Sequence, residues 1–270
     1  MADEIFDDNG DVHSQMRGSV LVLTLNRPDK GNALRGPATE SLIETVSAAE
    51  SGGEVRAILL RAEGKNFCVG ADLVAANSSK EKPRPGHMVR SLESGPHRLI
   101  EALWDCRLPT VGVVQGAATG LGLHLAVVCD FVLATPNATF TEPFCKRGFS
   151  VDSGGSFLLP RLIGVRRARQ MLLRGITVSA DDAADWGLID EVFDAASLDD
   201  RAAALAAELA AGPTFSLGHT KDLLNRRAHA DLAGALRAEA DSVEATIRSA
   251  DFKEGLRSFI ERRNPEFSGC

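Results

Sequence analysis

The chain has 270 residues, enough for one large domain with a sizeable core. Its 37 acidic and 30 basic residues give a formal charge of -7, which excludes a general binder of nucleic acid, although a local basic patch can still hold a phosphate. Five scattered cysteines without CxxC spacing fit neither a disulfide framework nor a zinc site, no stretch reaches membrane-spanning length, and the acidic start MADEIFDDNGD is unlike a signal peptide. A cytoplasmic protein without a metal is expected. Tyrosine is absent, so acid–base chemistry falls to His, Asp, Glu, Cys and the main chain.

In chain order, SVLVLTLNRP (residues 19–28) alternates well enough to be a strand. PATESLIETVSAAESG (37–52) then reads as an amphipathic helix, with proline near its start and glycine past its end. AILLRAEG (57–64) is a second strand, residues 75–90 a polar, proline-containing loop placed over a pocket, and residues 97–104 a helix. TVGVVQG (110–116) and DFVLATP (130–136) are further strands. Ser179 and Asp182 form a capping box that opens ADDAADWG, which Gly187 closes. From about Leu198 onward the chain is helical and alanine-rich. Strands alternating with helices predict an α/β core over residues 1–197, with a helical region over 198–270.

The most informative stretch is QGAATGLGLHLAVVCD (115–130), where Gly116, Gly120 and Gly122 lie between an apolar strand and an apolar helix. Glycine lets a ligand approach the backbone, and unpaired N–H groups in a first helical turn favour an anion or a developing oxyanion. A packing turn is the alternative. GKNFCVGADL (64–73) ends a strand in a second glycine turn, Gly70-Ala71-Asp72.

With these corners and LNRPDKGNAL (25–34), RLIGVRRARQMLL (161–173), ADDAADWGLIDEV and the tail DFKEGLRSFIERR, nearly the whole chain resembles the enoyl-CoA hydratase/isomerase (crotonase) family. The resemblance implies a spiral of ββα units, a C-terminal helical trimerisation region giving a homotrimer or a dimer of trimers, and an acyl-CoA substrate. Coenzyme A enters as part of that substrate, with no separate cofactor. The family polarises the thioester carbonyl with two backbone N–H groups, which fall here on Ala71 and Leu121. CoA contacts are implied at Asn26, Arg27, Ala33, Leu34, Gly70, Asp72 and Leu73, and from a neighbouring subunit at Phe259 and Arg262.

The two glutamates of the family's hydratases correspond to His124 and Phe144, and phenylalanine moves no proton. Asp152, in GFSVDSGGS, matches an aspartate of non-hydratase members such as the ring-1,2-epoxyphenylacetyl-CoA isomerase, and is the expected base; its alternative role is to cap a helix starting at residues 153–155. His124 is expected to be neutral near a helix N-terminus, where it relays a proton or simply fills the core. Phe144, Phe149 and Glu142 are placed at the acyl pocket, with Glu142 expected to point away from substrate. Cys68 is expected to pack rather than attack. The leading reading is an acyl-CoA isomerase. The alternatives are a hydratase with an atypical acid/base pair, a dehalogenase or thioester hydrolase, and a non-catalytic acyl-CoA binding protein.

Overall fold

The computed structural model describes residues 5–8, 10–72, 87–147, 150–227, 249–261, 263 and 265–269. Its main sheet uses β1 (Ile5–Asp8), β2 (Val12–Arg17), β3 (Val20–Leu25), β4 (Ala57–Ala62), β5 (Thr110–Val114), β7 (Phe131–Ala134) and β10 (Glu191–Val192), hydrogen-bonded in the order β1-β2-β3-β4-β5-β7-β10. β1, β2 and β3 pair antiparallel and the rest pair parallel. The apolar runs VLVLTL, AILLRA and TVGVV form its centre, where strands buried on both faces need apolar side chains throughout. β1 and β2 were not anticipated; β2 alternates buried Val12 and Ser14 with half-buried His13 and Gln15, which gives too few apolar residues to signal a strand.

A second layer consists of β6 (Ala117–Thr119), β8 (Thr139–Thr141) and β9 (Thr177–Ser179), with β6 parallel to β8 and β8 antiparallel to β9. Single bridges Cys68↔Ala118 and Leu34↔Ala71 extend it. The chain therefore repeats one move: a strand in the main sheet, a short turn, then a short extended segment in the second layer. β4 leads to residues 67–71, β5 to β6, and β7 to β8. This is the spiral of ββα units.

Nine helices are described: α1 (Gly36–Gly52), α2 (His87–Ser94), α3 (Pro96–Asp105), α4 (Leu121–Val127), α5 (Gly155–Arg174), α6 (Ala180–Trp186), α7 (Ala195–Ala211), α8 (Thr214–Arg227) and α9 (Ala250–Glu261). The loop expected through residue 90 gives way to α2 at His87. Ser179 caps α6 by accepting from the Asp182 N–H, and Gly187 closes that helix in the left-handed region, as the capping box requires. α5 breaks at Gly164, whose φ is +73°.

Alternation along the central strands divides the core. Leu21, Leu23, Leu25, Ile58 and Leu60 face the larger cluster, with Leu42, Leu99, Leu103, Leu123 and Leu125 from the helices. Val20, Val22, Ala57, Leu59, Val111 and Val113 face the other way, against Leu198, Ala202, Ala206 and Ala210 of α7. Their four-residue spacing makes one helix stripe, and burying each large apolar side chain stabilises the fold by about 1.5–3 kcal/mol. The boundary expected at 197/198 thus falls inside α7, which covers a sheet face. No described helix is long and apolar enough to cross a membrane.

Candidate active site

The site is built where two successive repeats of the spiral touch, β4 with residues 67–71 and β5 with β6. The chain leaves β5 through Gly116 (φ +58°), where a Cβ would lie 2.1 Å from the Lys65 carbonyl oxygen. β6 then runs beside residues 67–68: the Phe67 N–H donates to the Gln115 carbonyl (2.7 Å), Cys68 to Ala117 (3.0 Å) and Thr119 to Cys68 (2.9 Å). At Gly122 a Cβ would lie 2.1 Å from the Cys68 carbonyl oxygen. The packing-turn reading of these glycines and the ligand-approach reading are therefore compatible. Close approach of two backbones draws the two corners together.

Gly70 (φ +100°) completes the junction, since a Cβ there would sit 2.8 Å from the Thr119 carbonyl oxygen and 3.8 Å from the Leu121 nitrogen. Leu34 donates its N–H to the Gly70 carbonyl (2.9 Å) and Asp72 donates to the Leu34 carbonyl (2.8 Å), so the Ala71 N–H points away from that pairing. Leu121 opens α4, where the first N–H groups lack helical partners. Among the described residues the N–H groups of Ala71 and Leu121 have no acceptor. The Leu121 side chain, 4% exposed, is packed in the core.

The residues expected around CoA form one connected edge. Arg27 donates through Nη1 to the Ala33 carbonyl (3.1 Å) and to Asp72 Oδ2 (2.7 Å), tying the loop at residues 26–34 to the Gly70–Asp72 turn. Asn26 Nδ2 donates to the Gly10 carbonyl (3.3 Å) and meets the His13 ring. The organiser of this edge is Asn32, which the sequence reading missed. It is buried with φ +57°, accepts from the Arg27 N–H (2.7 Å), and donates to the carbonyls of Glu63 (2.9 Å) and Asn66 (2.7 Å). The Gly-Asn pair at 31–32 is the turn signal that could have found it. Leu73 and Arg262 lie outside the described residues, as does Phe149; Phe259 lies in α9 and its side chain is outside the description.

Glu142 requires a correction: instead of pointing away, it is fully buried, with Oε1 2.7 Å from His124 Nε2. β8 ends at Thr141, Pro143 follows, and Phe144–Arg147 is a 3-10 turn, so strand alternation no longer sets the side-chain direction. Burial pushes the Glu142 carboxyl above the usual range, partly offset by the hydrogen bond and charge of His124, while the like charge of Asp152 raises it further. Phe144 is buried and stacks on the imidazole at 6.0 Å and 9°. Gly155 leaves room for the ring, because a Cβ there would be 2.3 Å from Nε2.

The alternative role for Asp152 is also corrected. α5 begins at Gly155 with Gly154 as its cap (φ +88°), and no side chain caps it. Asp152 instead accepts from the Ser153 hydroxyl (2.8 Å) and stays half-buried, while its carbonyl accepts from the Gly155 N–H (3.1 Å). The Cys68 thiol is buried and pushed up to about 12, which leaves no thiolate for attack. Among the described residues no group of His, Cys, Asp and Glu could hold a metal ion.

Two adjoining glycine corners on a ββα spiral, with main-chain N–H groups at Ala71 and Leu121 that have no acceptor among the described residues, mark the class. The enoyl-CoA hydratase/isomerase family model matches residues 15–270, and the chain belongs to that family of crotonase-fold enzymes acting on acyl-CoA thioesters. It is 36% identical to the 1,2-epoxyphenylacetyl-CoA isomerase of Escherichia coli K12 over 95% of this chain and 97% of that protein. It is 32% identical to 4-chlorobenzoyl coenzyme A dehalogenase-1 of an Arthrobacter species over 93% of this chain and 91% of that one. A solved enoyl-CoA hydratase from Polaromonas sp. JS666 superposes with a TM-score of 0.89 at 31% identity, covering 95% of this chain and 99% of the other.

Proposed function

We propose that the protein is an acyl-CoA isomerase that shifts a double bond or opens a strained ring through an enolate, with Asp152 as its base. The observation that carries this reading is the division of labour among the polar side chains. Glu142 and His124 are sealed and spent on each other, phenylalanine occupies position 144, and Asp152 is the carboxylate left partly open. Hydration needs one group for water and another for the alpha carbon, whereas a proton shift needs one base. Similarity to the 1,2-epoxyphenylacetyl-CoA isomerase points the same way.

In this reading the Ala71 and Leu121 N–H groups form an oxyanion hole for the thioester oxygen. Each such donor is worth roughly 3–4 kcal/mol once negative charge develops. Asp152 takes a proton from the gamma carbon of a 2-enoyl-CoA, and the electrons move through the double bond onto the oxygen. Asp152 then returns the proton at the alpha carbon. CoA lies along Asn26, Arg27, Ala33, Leu34, Gly70 and Asp72, with Leu73, Phe259 and Arg262 as further contacts and Phe144 and Phe149 around the acyl group, while Glu142 stays sealed behind them against His124. The enzyme works in the cytoplasm as a homotrimer or a dimer of trimers, which the exposed Leu162, Val165 and Leu173 of α5 support.

The test is product analysis on 2-enoyl-, 3-enoyl- and aryl-CoA thioesters. Double-bond or ring isomers are expected, and Asp152→Asn should lower kcat/KM by about 10²–10⁴-fold. A 3-hydroxyacyl-CoA product would identify a hydratase instead, and tight binding without turnover a carrier. Undiminished isomerisation by Asp152→Asn would overturn the role of that residue.

A further inference from the structure

The His124–Glu142 pair has no part in the single-base reaction, yet sealed polar groups are costly to keep. Both side chains are 0% exposed, and among the described residues neither His124 Nδ1 nor Glu142 Oε2 has a hydrogen-bond partner. A net negative pair would be opposed both by its burial and by Asp152, whose field reaches Glu142. Burial and the field of Asp152 thus favour a pair that holds one shared proton and is net neutral, in one of two forms. Either a carboxylic acid faces a neutral imidazole, or a carboxylate faces an imidazolium. The forms differ only in which side of the 2.7 Å bond carries the proton.

Their placement makes that difference matter. His124 lies on α4, three residues after Leu121 and behind the corner, while Glu142 is the member that feels Asp152. Before reaction the negative charge is on Asp152, which favours a protonated Glu142. After proton abstraction Asp152 is neutral and the charge is on the thioester oxygen, which favours an imidazolium behind the corner. We infer that His124 and Glu142 are positioning residues that pass one proton between them as negative charge moves from Asp152 to the oxyanion. The O–H bond of Glu142 breaks, an N–H bond forms at His124 Nε2, and the pair stays neutral throughout. This inference rests on the isomerase reading above.

Other charged or titratable groups on the packed elements do not compete for this proton. The Cys68 thiol, against α4 at Gly122, is pushed up to about 12, and Lys146 and Arg147 are exposed on the turn after Phe144. Arg161 of α5 lies over the Phe157 ring, and Asp130, beyond the far end of α4, is paired with Lys221.

The experiment uses the full chain in two ligand states, a saturated acyl-CoA and a 3-oxoacyl-CoA whose alpha carbon ionises readily. Infrared difference spectra in light and heavy water should show a protonated-carboxyl stretch in the free enzyme that is missing from Glu142→Gln. The band assigned to Glu142 by its absence from Glu142→Gln should survive the saturated ligand and disappear with the ionised one. There Asp152, having taken the alpha proton, contributes a separate carboxyl band that Glu142→Gln retains. In the same states, wild-type protein carrying ¹⁵N-histidine should show one imidazole becoming protonated with the ionised ligand alone. Turnover by Glu142→Gln should fall about tenfold in kcat with KM unchanged, as for loss of one favourable charge near the oxyanion.

A Glu142 carboxyl band that is absent from free wild type, or that persists beside the ionised ligand, overturns the inference, and so does an imidazole that never changes. The histidine measurement needs no variant, so a poorly folding Glu142→Gln leaves the question decidable. Should the 3-oxoacyl-CoA bind without ionising, the oxyanion reading itself fails and this inference falls with it. If isomerisation occurs and depends on Asp152 while the pair stays unchanged, the inference alone fails.

Discussion

At the scale of single residues, glycines were legible and buried carboxylates were not. Gly70, Gly116 and Gly122 announce close approach because their lack of a side chain is itself the signal. Glu142 gives no such sign. Its inward turn depends on where β8 stops and on Pro143, and its partner is eighteen residues away on another element. One consequence is a pH dependence of stability with a definite sign. An ordinary glutamate titrates near 4.5, and in the fold the Glu142 carboxyl lies higher. The folded chain therefore binds that proton more tightly than the unfolded chain. Its stabilising contribution is fully present below about 4.5 and is lost as pH rises through the folded value. Urea unfolding from about pH 5 to about pH 8 should show wild type losing stability relative to Glu142→Gln. A constant difference across that range would contradict the shift.

At the scale of elements, apolar strands and capped helices were readable because period and punctuation are local. β1, β2 and the short strands of the second layer were not, since pairing, rather than their own composition, makes them strands. The long-range ties also escape sequence reasoning. Lys221 of α8 is one: its Nζ donates to Asp130 Oδ2 (2.7 Å) and to the Leu108 carbonyl (3.1 Å), while Asp130 also accepts from the Thr110 N–H and hydroxyl (2.8 Å each). This network fastens α8 to the start of β5. Lys221→Met should cost about 2 kcal/mol, below the value for a fully sealed pair because the Asp130 side chain is 23% exposed. Chemical denaturation measures it, and an unchanged midpoint would show that packing alone holds α8. Since α8 is remote from the glycine corners, KM should be unaffected.

At the scale of the whole molecule, the spiral explains why two weak sequence signals make one site. Residues 64–73 and 115–130 are each ordinary glycine turns, but successive turns of the spiral stack them through Cys68↔Ala118, and Gly70 comes against Thr119 and Leu121. Order and spacing of motifs across the chain carried the family, which sequence alone could therefore reveal. The choice of reaction depends on a few side chains at the end of that stack, where His124, Glu142, Phe144 and Asp152 converge from three segments. The most direct measurement is deuterium incorporation at the alpha carbon of enoyl-CoA substrates incubated in heavy water. The account predicts incorporation by wild type and its near-complete loss in Asp152→Asn; equal incorporation by both, with the variant folded and binding acyl-CoA, would contradict it.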